Sequence, residues 1–222
     1  MYKKISAIFF IQIKVVFLSY QTKKNMKTLL IVILTIFSFS SCQSQSFQDG
    51  DMIFHTSKSS QSQMLQIITK SKFTHCGIIF HRNGKPYVFE AVQPVKITPL
   101  NEWISRGVGG KYAVTRIKGG LSEDKKKSMY NYAKNQLGKS YDIKFQWSDS
   151  KMYCSELIYK VYVAADYTLA KTKTFSQYDL TSSVAKEAIK KRYGNSFNKN
   201  EYVISPVDLY NSPLIRVVYS NY

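Results

Sequence analysis

The chain has few of the residues that specialised small folds depend on. Its 222 residues include three cysteines, five prolines and ten glycines. Three cysteines cannot form the disulfide framework of a small secreted domain, and no pair of them has zinc-type spacing. The low proline and glycine content excludes a collagen-like or proline-rich chain. The three histidines do not fall at metal-ligand spacing, so we predict no metal site and no cofactor.

Two apolar runs open the chain. The run at 5–19 is interrupted by Lys14 and is short for a membrane span. The run at 29–39 follows Met26 and a basic stretch, and it ends in small residues, as secretory signals do. We therefore expect Met26 to be the true start and residues 1–25 to lie upstream of it.

The end of the second run resembles a bacterial lipoprotein signal. Two serines precede Cys42, although Phe39 stands where such signals usually carry leucine. The resemblance implies that residues 26–41 are a signal peptide and that a lipid is attached to the sulfur of Cys42. Alternatively, the protein is secreted and Cys42 is an incidental thiol. Both interpretations place the protein in the cell envelope or outside the cell, with a polar tether at 42–48 and the folded domain at 49–222.

Acidic residues are scarce. The chain has 14 of them against 32 lysines and arginines, for a net charge of +18. Loss of residues 1–41 removes six lysines and no acid, which leaves +12. Because an exported protein meets little nucleic acid, we predict no nucleic-acid partner and expect anionic envelope polymers or membrane surfaces instead. The alternative is that the lysines only keep the protein soluble.

Short strands and helices are mixed along the rest of the chain without a regular βαβ alternation. Hydrophobic residues make up 44% and charged residues 21%, as in a globular domain. The pattern predicts an α+β fold with an antiparallel sheet packed against helices. Predicted strands lie at 52–54, 73–80, 87–92, 112–117, 202–204 and 215–219, and predicted helices at 64–72, 99–104, 122–137, 154–165 and 182–193.

Cys154 is the candidate nucleophile. It stands at the predicted start of an amphipathic helix, where free N–H groups and a partial positive charge lower a thiol pKa. A thiolate there could attack a carbonyl, and nearby N–H groups could hold the oxyanion. Alternatively, Cys154 is a buried core residue on the apolar face of the helix.

His75 is the candidate base, and Glu90 is its candidate partner. The turn at 83–84 is Asn-Gly, which predicts a two-residue hairpin that places Glu90 opposite Gly77. Glu90 is then the diagonal neighbour of His75 on the same face, roughly 7–8 Å away between backbones. A carboxylate there could fix the imidazole tautomer. Alternatively, the two side chains merely share one face of a half-buried strand.

The remaining thiol and histidines are given no part in the triad. Strand alternation turns Cys76 away from His75 and into the core, so we predict that it does not pair with Cys154. His81 adjoins the hairpin turn and should be solvated. His55 ends a strand and is not expected to line the site.

Several segments together resemble the circularly permuted NlpC-like papain-fold hydrolases, in particular the YiiX-like branch. The resemblance covers residues 49–217. In unpermuted enzymes of this type the cysteine helix precedes the histidine strand, whereas here His75 comes before Cys154. The segments that carry the resemblance are 50–54, 73–78, 89–91, 137–142, 153–157, 204–209 and 212–214.

The resemblance implies a role for each site residue. Cys154 would be the nucleophile, His75 the base and Glu90 the polar third member of the triad. Tyr141, thirteen residues before Cys154 as in the family pattern, would lie near the oxyanion site. Tyr153 would form part of the pocket wall, but it stands where the unpermuted pattern has aspartate, so the pocket differs there.

The resemblance also implies a reaction. The expected activity is hydrolysis of amide bonds through an acyl-enzyme, with cell-wall peptides or lysine-containing isopeptides as substrates. One alternative is a lipid thioesterase or acyltransferase of the same fold. Another is a non-catalytic envelope-binding module that has kept the fold.

Overall fold

A six-stranded antiparallel sheet forms the centre of the domain. The computed structural model describes residues 46–222. The strands follow one another across the sheet in the order β4-β3-β2-β1-β5-β8, and β6 and β7 form a separate pair. The strands are β1 (Met52–His55), β2 (His75–Arg82), β3 (Lys85–Glu90), β4 (Lys96–Pro99), β5 (Ala113–Ile117), β6 (Lys173–Thr174), β7 (Tyr202–Val203) and β8 (Ile215–Ser220).

Six α-helices surround the sheet in the described part of the chain. The longest, α3, begins after Ser122, whose hydroxyl accepts the N–H of Lys125 as an N-cap. The helices are α1 (Ser62–Thr69), α2 (Leu100–Ser105), α3 (Glu123–Asn135), α4 (Cys154–Val163), α5 (Ser183–Tyr193) and α6 (Pro206–Tyr210). Together with the antiparallel sheet they confirm the predicted α+β class.

Both faces of the sheet are buried. Met52 and Phe54 point into the larger core, which includes α4, whereas Ile53 points to the opposite face. The smaller cluster on that opposite face contains Trp103 of α2 and Val88 of β3, both fully buried. Alternate residues of one strand therefore serve two different packing layers.

The β2–β3 hairpin has the register that its turn predicts. Ile78 pairs with Phe89 and His81 with Pro86 around the Asn83–Gly84 turn. Asn83 and Gly84 both have positive φ angles, of 52° and 72°, which is the conformation that this type of two-residue turn needs. This register fixes which residues of β3 can reach His75.

The domain begins to pack at Phe47. Its ring makes edge-on contacts with Tyr112 and Tyr219 at centroid distances of 6.4 and 6.3 Å. The expected upstream start, signal peptide and lipidated Cys42 lie outside the described residues. Within residues 46–222, no helix has the length and apolar character needed to cross a membrane.

Candidate active site

Cys154 is the first residue of α4, as its sequence context predicts. The residues on either side of it are both hydrogen-bonded to the backbone of Ile204 in the C-terminal segment. The Ser155 hydroxyl donates to the carbonyl of Ile204 at 2.7 Å, and the N–H of Ile204 donates to the Tyr153 hydroxyl at 3.2 Å. These two bonds fix the start of α4, and Cys154 itself is 4% exposed.

His75 and Glu90 are hydrogen-bonded across the hairpin. His75 Nε2 lies 2.7 Å from Glu90 Oε2, and the Glu90 side chain is fully buried. The diagonal placement expected from the turn therefore brings the two groups into contact. Because Glu90 occupies Nε2, the Nδ1 atom of His75 is left to bond the Cys154 thiol.

Glu90 holds two further groups. Its Oε1 accepts a hydrogen bond from the Thr98 hydroxyl at 2.5 Å and one from the Arg106 guanidinium. Burial alone would raise the pKa of this carboxyl, but the hydrogen bonds and positive charges around it lower the pKa to about 2. Glu90 is therefore ionised at any physiological pH.

The charges of His75 and Cys154 stabilise each other. Burial opposes a charged imidazole, but hydrogen bonds to Cys154 and Glu90 outweigh it and raise the pKa of His75 to about 9. A hydrogen bond from Cys76 lowers the pKa of the Cys154 thiol, whereas burial raises it. The hydrogen bond and the positive charge of His75 lower this pKa further, so that it lies well below the usual value. At neutral pH the pair is a thiolate and an imidazolium, the reactive form of such a nucleophile.

Cys76 is buried in the larger core and forms no disulfide with Cys154, as strand alternation predicts, although the two thiols are neighbours. Strand alternation does turn Cys76 into the larger core, but α4 packs on that same face of β2. Both thiols are free, and the Cys76 side chain and its backbone N–H hydrogen-bond to the Cys154 sulfur. The core face of β2 is therefore also the face that meets the nucleophile.

This contact leads to a testable prediction about the Cys154 thiol. Cys76→Ala should raise the pH midpoint of Cys154 alkylation by about one pH unit, because it removes one weak hydrogen bond, roughly 1.4 kcal/mol, to the charged sulfur. Cys76→Ser, which keeps a donor, is the matched control and should shift the midpoint less. The measurement is alkylation rate against pH, followed by peptide mass mapping. Identical profiles for wild type and Cys76→Ala would contradict the prediction.

His55 lines the cleft beside the triad, so the expectation that it would lie elsewhere was wrong. It pairs with His75 across β1 and β2, its ring centroid is 5.3 Å from that of His75, and it stacks on Trp103 at 3.9 Å. Burial, then the positive charges of His75 and Arg106, lower the pKa of His55 to about 2, so its ring is neutral. His81, by contrast, is exposed as expected and contacts Asp49.

A cleft of about 710 Å³ opens beside the triad, and His75 and Tyr141 are among the residues that line it. The backbone N–H of Tyr141 donates to the Gln93 side chain at 2.6 Å, which fixes this part of the wall. Burial and the nearby Cys154 thiolate raise the pKa of the Tyr141 phenol, so its hydroxyl keeps its proton and remains a donor. The interaction with Cys154 places the Tyr141 phenol within electrostatic reach of the nucleophile, and its role at an oxyanion stays a prediction.

Tyr153 precedes the nucleophile and lines a different cavity from the cleft. It is 2% exposed and lines, together with Cys154, a smaller apolar pocket of about 40 Å³. Its main contact is structural, since its hydroxyl receives the N–H of Ile204. Leu65 of α1 borders both the cleft and this pocket, so the two cavities adjoin there.

Comparisons with known proteins identify relatives that cover most of the chain. The family model described as "Permuted papain-like amidase enzyme, YaeF/YiiX, C92 family" matches residues 46–219. The "Uncharacterized protein YiiX" of Escherichia coli K12 is 43% identical over 172 residues, which span 77% of this chain and 85% of that protein.

A solved relative has the same fold. The crystal structure of "metalloprotein yiiX" from Escherichia coli O157:H7 is 42% identical, has a TM-score of 0.77, and is matched over 79% of this chain and 98% of its own. In residues 46–222 of the present chain, no group of three or more His, Cys, Asp or Glu side chains is arranged to hold a metal ion.

The family match and the 43% identical relative agree with the order of elements in the structure, in which the strand of His75 precedes the helix of Cys154. They confirm the permuted papain-like fold and the cysteine hydrolase class that the sequence predicts. The chain belongs to the YaeF/YiiX, or C92, family of permuted papain-like amidases.

Proposed function

We propose that this protein is an exported cysteine amidase that cleaves amide bonds in cell-wall peptides or lysine-containing isopeptides. The observation that carries the proposal is the 2.7 Å contact between His75 and the buried Glu90 beside a cleft of about 710 Å³, with Cys154 at the start of α4 acting on the same imidazole. A nucleophile, a base and an orienting carboxylate placed in this way are the parts of acyl transfer.

In the first half of the reaction, Cys154 is acylated. The Sγ thiolate attacks the carbonyl carbon of the substrate, and the carbonyl oxygen becomes an oxyanion. Free N–H groups at the start of α4 and the Tyr141 hydroxyl are the donors for that oxyanion. His75 then gives its proton to the leaving nitrogen, the C–N bond breaks, and an amine departs from the thioester.

In the second half, water releases the acyl group. His75, now neutral, takes one proton from a water molecule whose oxygen attacks the thioester carbon. The C–S bond breaks and Sγ leaves as a thiolate. The products are a carboxylic acid and the amine, and the thiolate–imidazolium pair is restored.

The envelope location is part of the proposal and rests on the sequence before residue 46. A signal peptide at 26–41 and a lipid on Cys42 would hold the domain at a membrane surface, where cell-wall fragments are accessible. In cell fractionation, Cys42→Ser should move the protein from the membrane to the soluble fraction. Unchanged membrane retention would exclude the lipid anchor.

The substrate is tested by mass spectrometry of cell-wall digests treated with the wild type or with Cys154→Ala. We expect new products that differ from their precursors by one water and contain a new amine, with the wild type alone. A parallel reaction with acyl thioesters tests the lipid thioesterase alternative. Turnover of thioesters with no change in any wall peptide would overturn the choice of substrate but not the cysteine chemistry.

A further inference from the structure

We propose that the cleft selects substrates that carry an anionic group next to the bond that is cleaved, and that Lys58 determines this specificity. The inference rests on the proposed function, because it concerns the same cleft. A carboxylate and a phosphate share the chemistry that such a site recognises.

The described residues that line the cleft carry positive charge and no negative charge. Lys58, Arg106 and protonated His75 are on the wall, and none of the lining residues is aspartate or glutamate. The rest of the wall near Lys58 consists of neutral hydrogen-bonding groups, including Ser57, Ser59 and Gln61. An anion entering the cleft therefore meets donors and cations.

The two negatively charged groups of the site, Glu90 and the Cys154 thiolate, are already paired with cations. Glu90 binds both His75 and Arg106, and the Cys154 thiolate pairs with His75. The Lys58 Nζ donates to the backbone carbonyl of Ser105 at 3.1 Å, a neutral acceptor. Among these groups, the positive charge of Lys58 is therefore not neutralised by an acidic side chain.

The position of Lys58 links this charge to the reaction centre. The bond to Ser105 holds its ammonium group against the end of α2, next to Arg106. Its charge reaches His55, whose ring lies 5.3 Å from that of His75. A substrate that reaches His75 through the cleft therefore passes a wall that carries Lys58.

The probes for this inference are three chloroacetyl amino-acid amides, made from glutamine, glutamate and phosphoserine. In each, the Cys154 sulfur displaces chloride and forms a thioether. The glutamate and glutamine probes have nearly the same shape and differ by one negative charge. At low ionic strength we expect wild type to react about five- to tenfold faster with the glutamate probe, and salt should reduce this ratio.

Lys58→Gln should lower the glutamate-to-glutamine ratio to near one, and Lys58→Glu should invert it. Lys127→Gln, an exposed lysine of α3 outside the cleft wall, is the matched control and should keep the wild-type ratio. The phosphoserine probe shows whether phosphate is accepted as well as carboxylate. Melting curves verify that each variant is folded, and peptide mapping assigns the label to Cys154.

The outcomes separate this inference from the proposed function. Labelling of Cys154 by all probes, with a ratio that Lys58→Gln leaves unchanged, would overturn the anion preference alone. Failure of every probe to label Cys154 at pH 6–7 would overturn the proposed function and the inference with it.

Discussion

Cys154→Ala should abolish amide hydrolysis and all labelling at the start of α4, and His75→Ala should slow both by several powers of ten. Cys154 supplies the attacking sulfur, and the charge of His75 contributes to keeping that sulfur ionised. Because the two residues act as one unit, removing either one abolishes nearly all of the rate enhancement that they provide together. The expected increase in the activation free energy is on the order of 4–8 kcal/mol. The fold should survive Cys154→Ala, because one sulfur leaves little cavity.

The measurement is labelling by an electrophile across pH, with a melting curve for each variant. Wild type should label at pH 6–7, below the usual thiol pKa of about 8.5. His81→Ala is the matched control, since His81 is exposed and lies at the hairpin end away from the cleft. If folded His75→Ala labelled as fast as wild type, Cys154 would not be activated by His75, and a binding module would become the better explanation.

Local sequence rules were sufficient for the part of the site that lies on one hairpin. The Asn83–Gly84 turn fixes the strand register, and the register with strand alternation places Glu90 beside His75. The start of α4 at Cys154 was also predictable from helical spacing. Each of these inferences needs only neighbours in sequence or across a tight turn.

The residues that surround the His75–Glu90 pair could not be predicted, because they come from segments that are distant in the sequence. Arg106 follows α2, and His55 ends β1, yet both meet the His75–Glu90 pair. A lone arginine after a helix, or a lone histidine at the end of a strand, gives no local signal of such contacts. Cys76 illustrates a related limit, since alternation gives the face of a strand but not the helix that packs on it.

Glu90→Gln should reduce catalysis about 10- to 100-fold and destabilise the fold by about 3 kcal/mol, as expected when one member of a buried charge network is removed. The sequence alone suggests partial loss, because Glu90 only orients the imidazole. The structure adds that Glu90 also binds Arg106 and Thr98. In the variant, two cations lose their shared counter-charge, and the pKa of His75 should fall.

The difference in stability between wild type and Glu90→Gln should depend on pH. The pKa of His75 is raised from 6.5 to about 9, so its stabilisation is complete below pH 6.5 and is lost as pH rises through about 9. The pKa of Glu90 is lowered from 4.5 to about 2, so its stabilisation is present above pH 4.5 and is lost as pH falls through about 2. The stability gap between wild type and Glu90→Gln should therefore be widest near pH 4.5–6.5.

Urea unfolding of both proteins from pH 2 to 10 measures that gap, and hydrolysis rates over the range where they are folded locate the alkaline limit. We expect this limit near pH 9 in wild type and at lower pH in Glu90→Gln, because a neutral His75 can no longer protonate the leaving nitrogen. Glu102→Gln, an exposed residue of α2, is the matched control and should change neither profile. A stability gap independent of pH, with an unmoved alkaline limit, would show that Glu90 does not set the charge of His75.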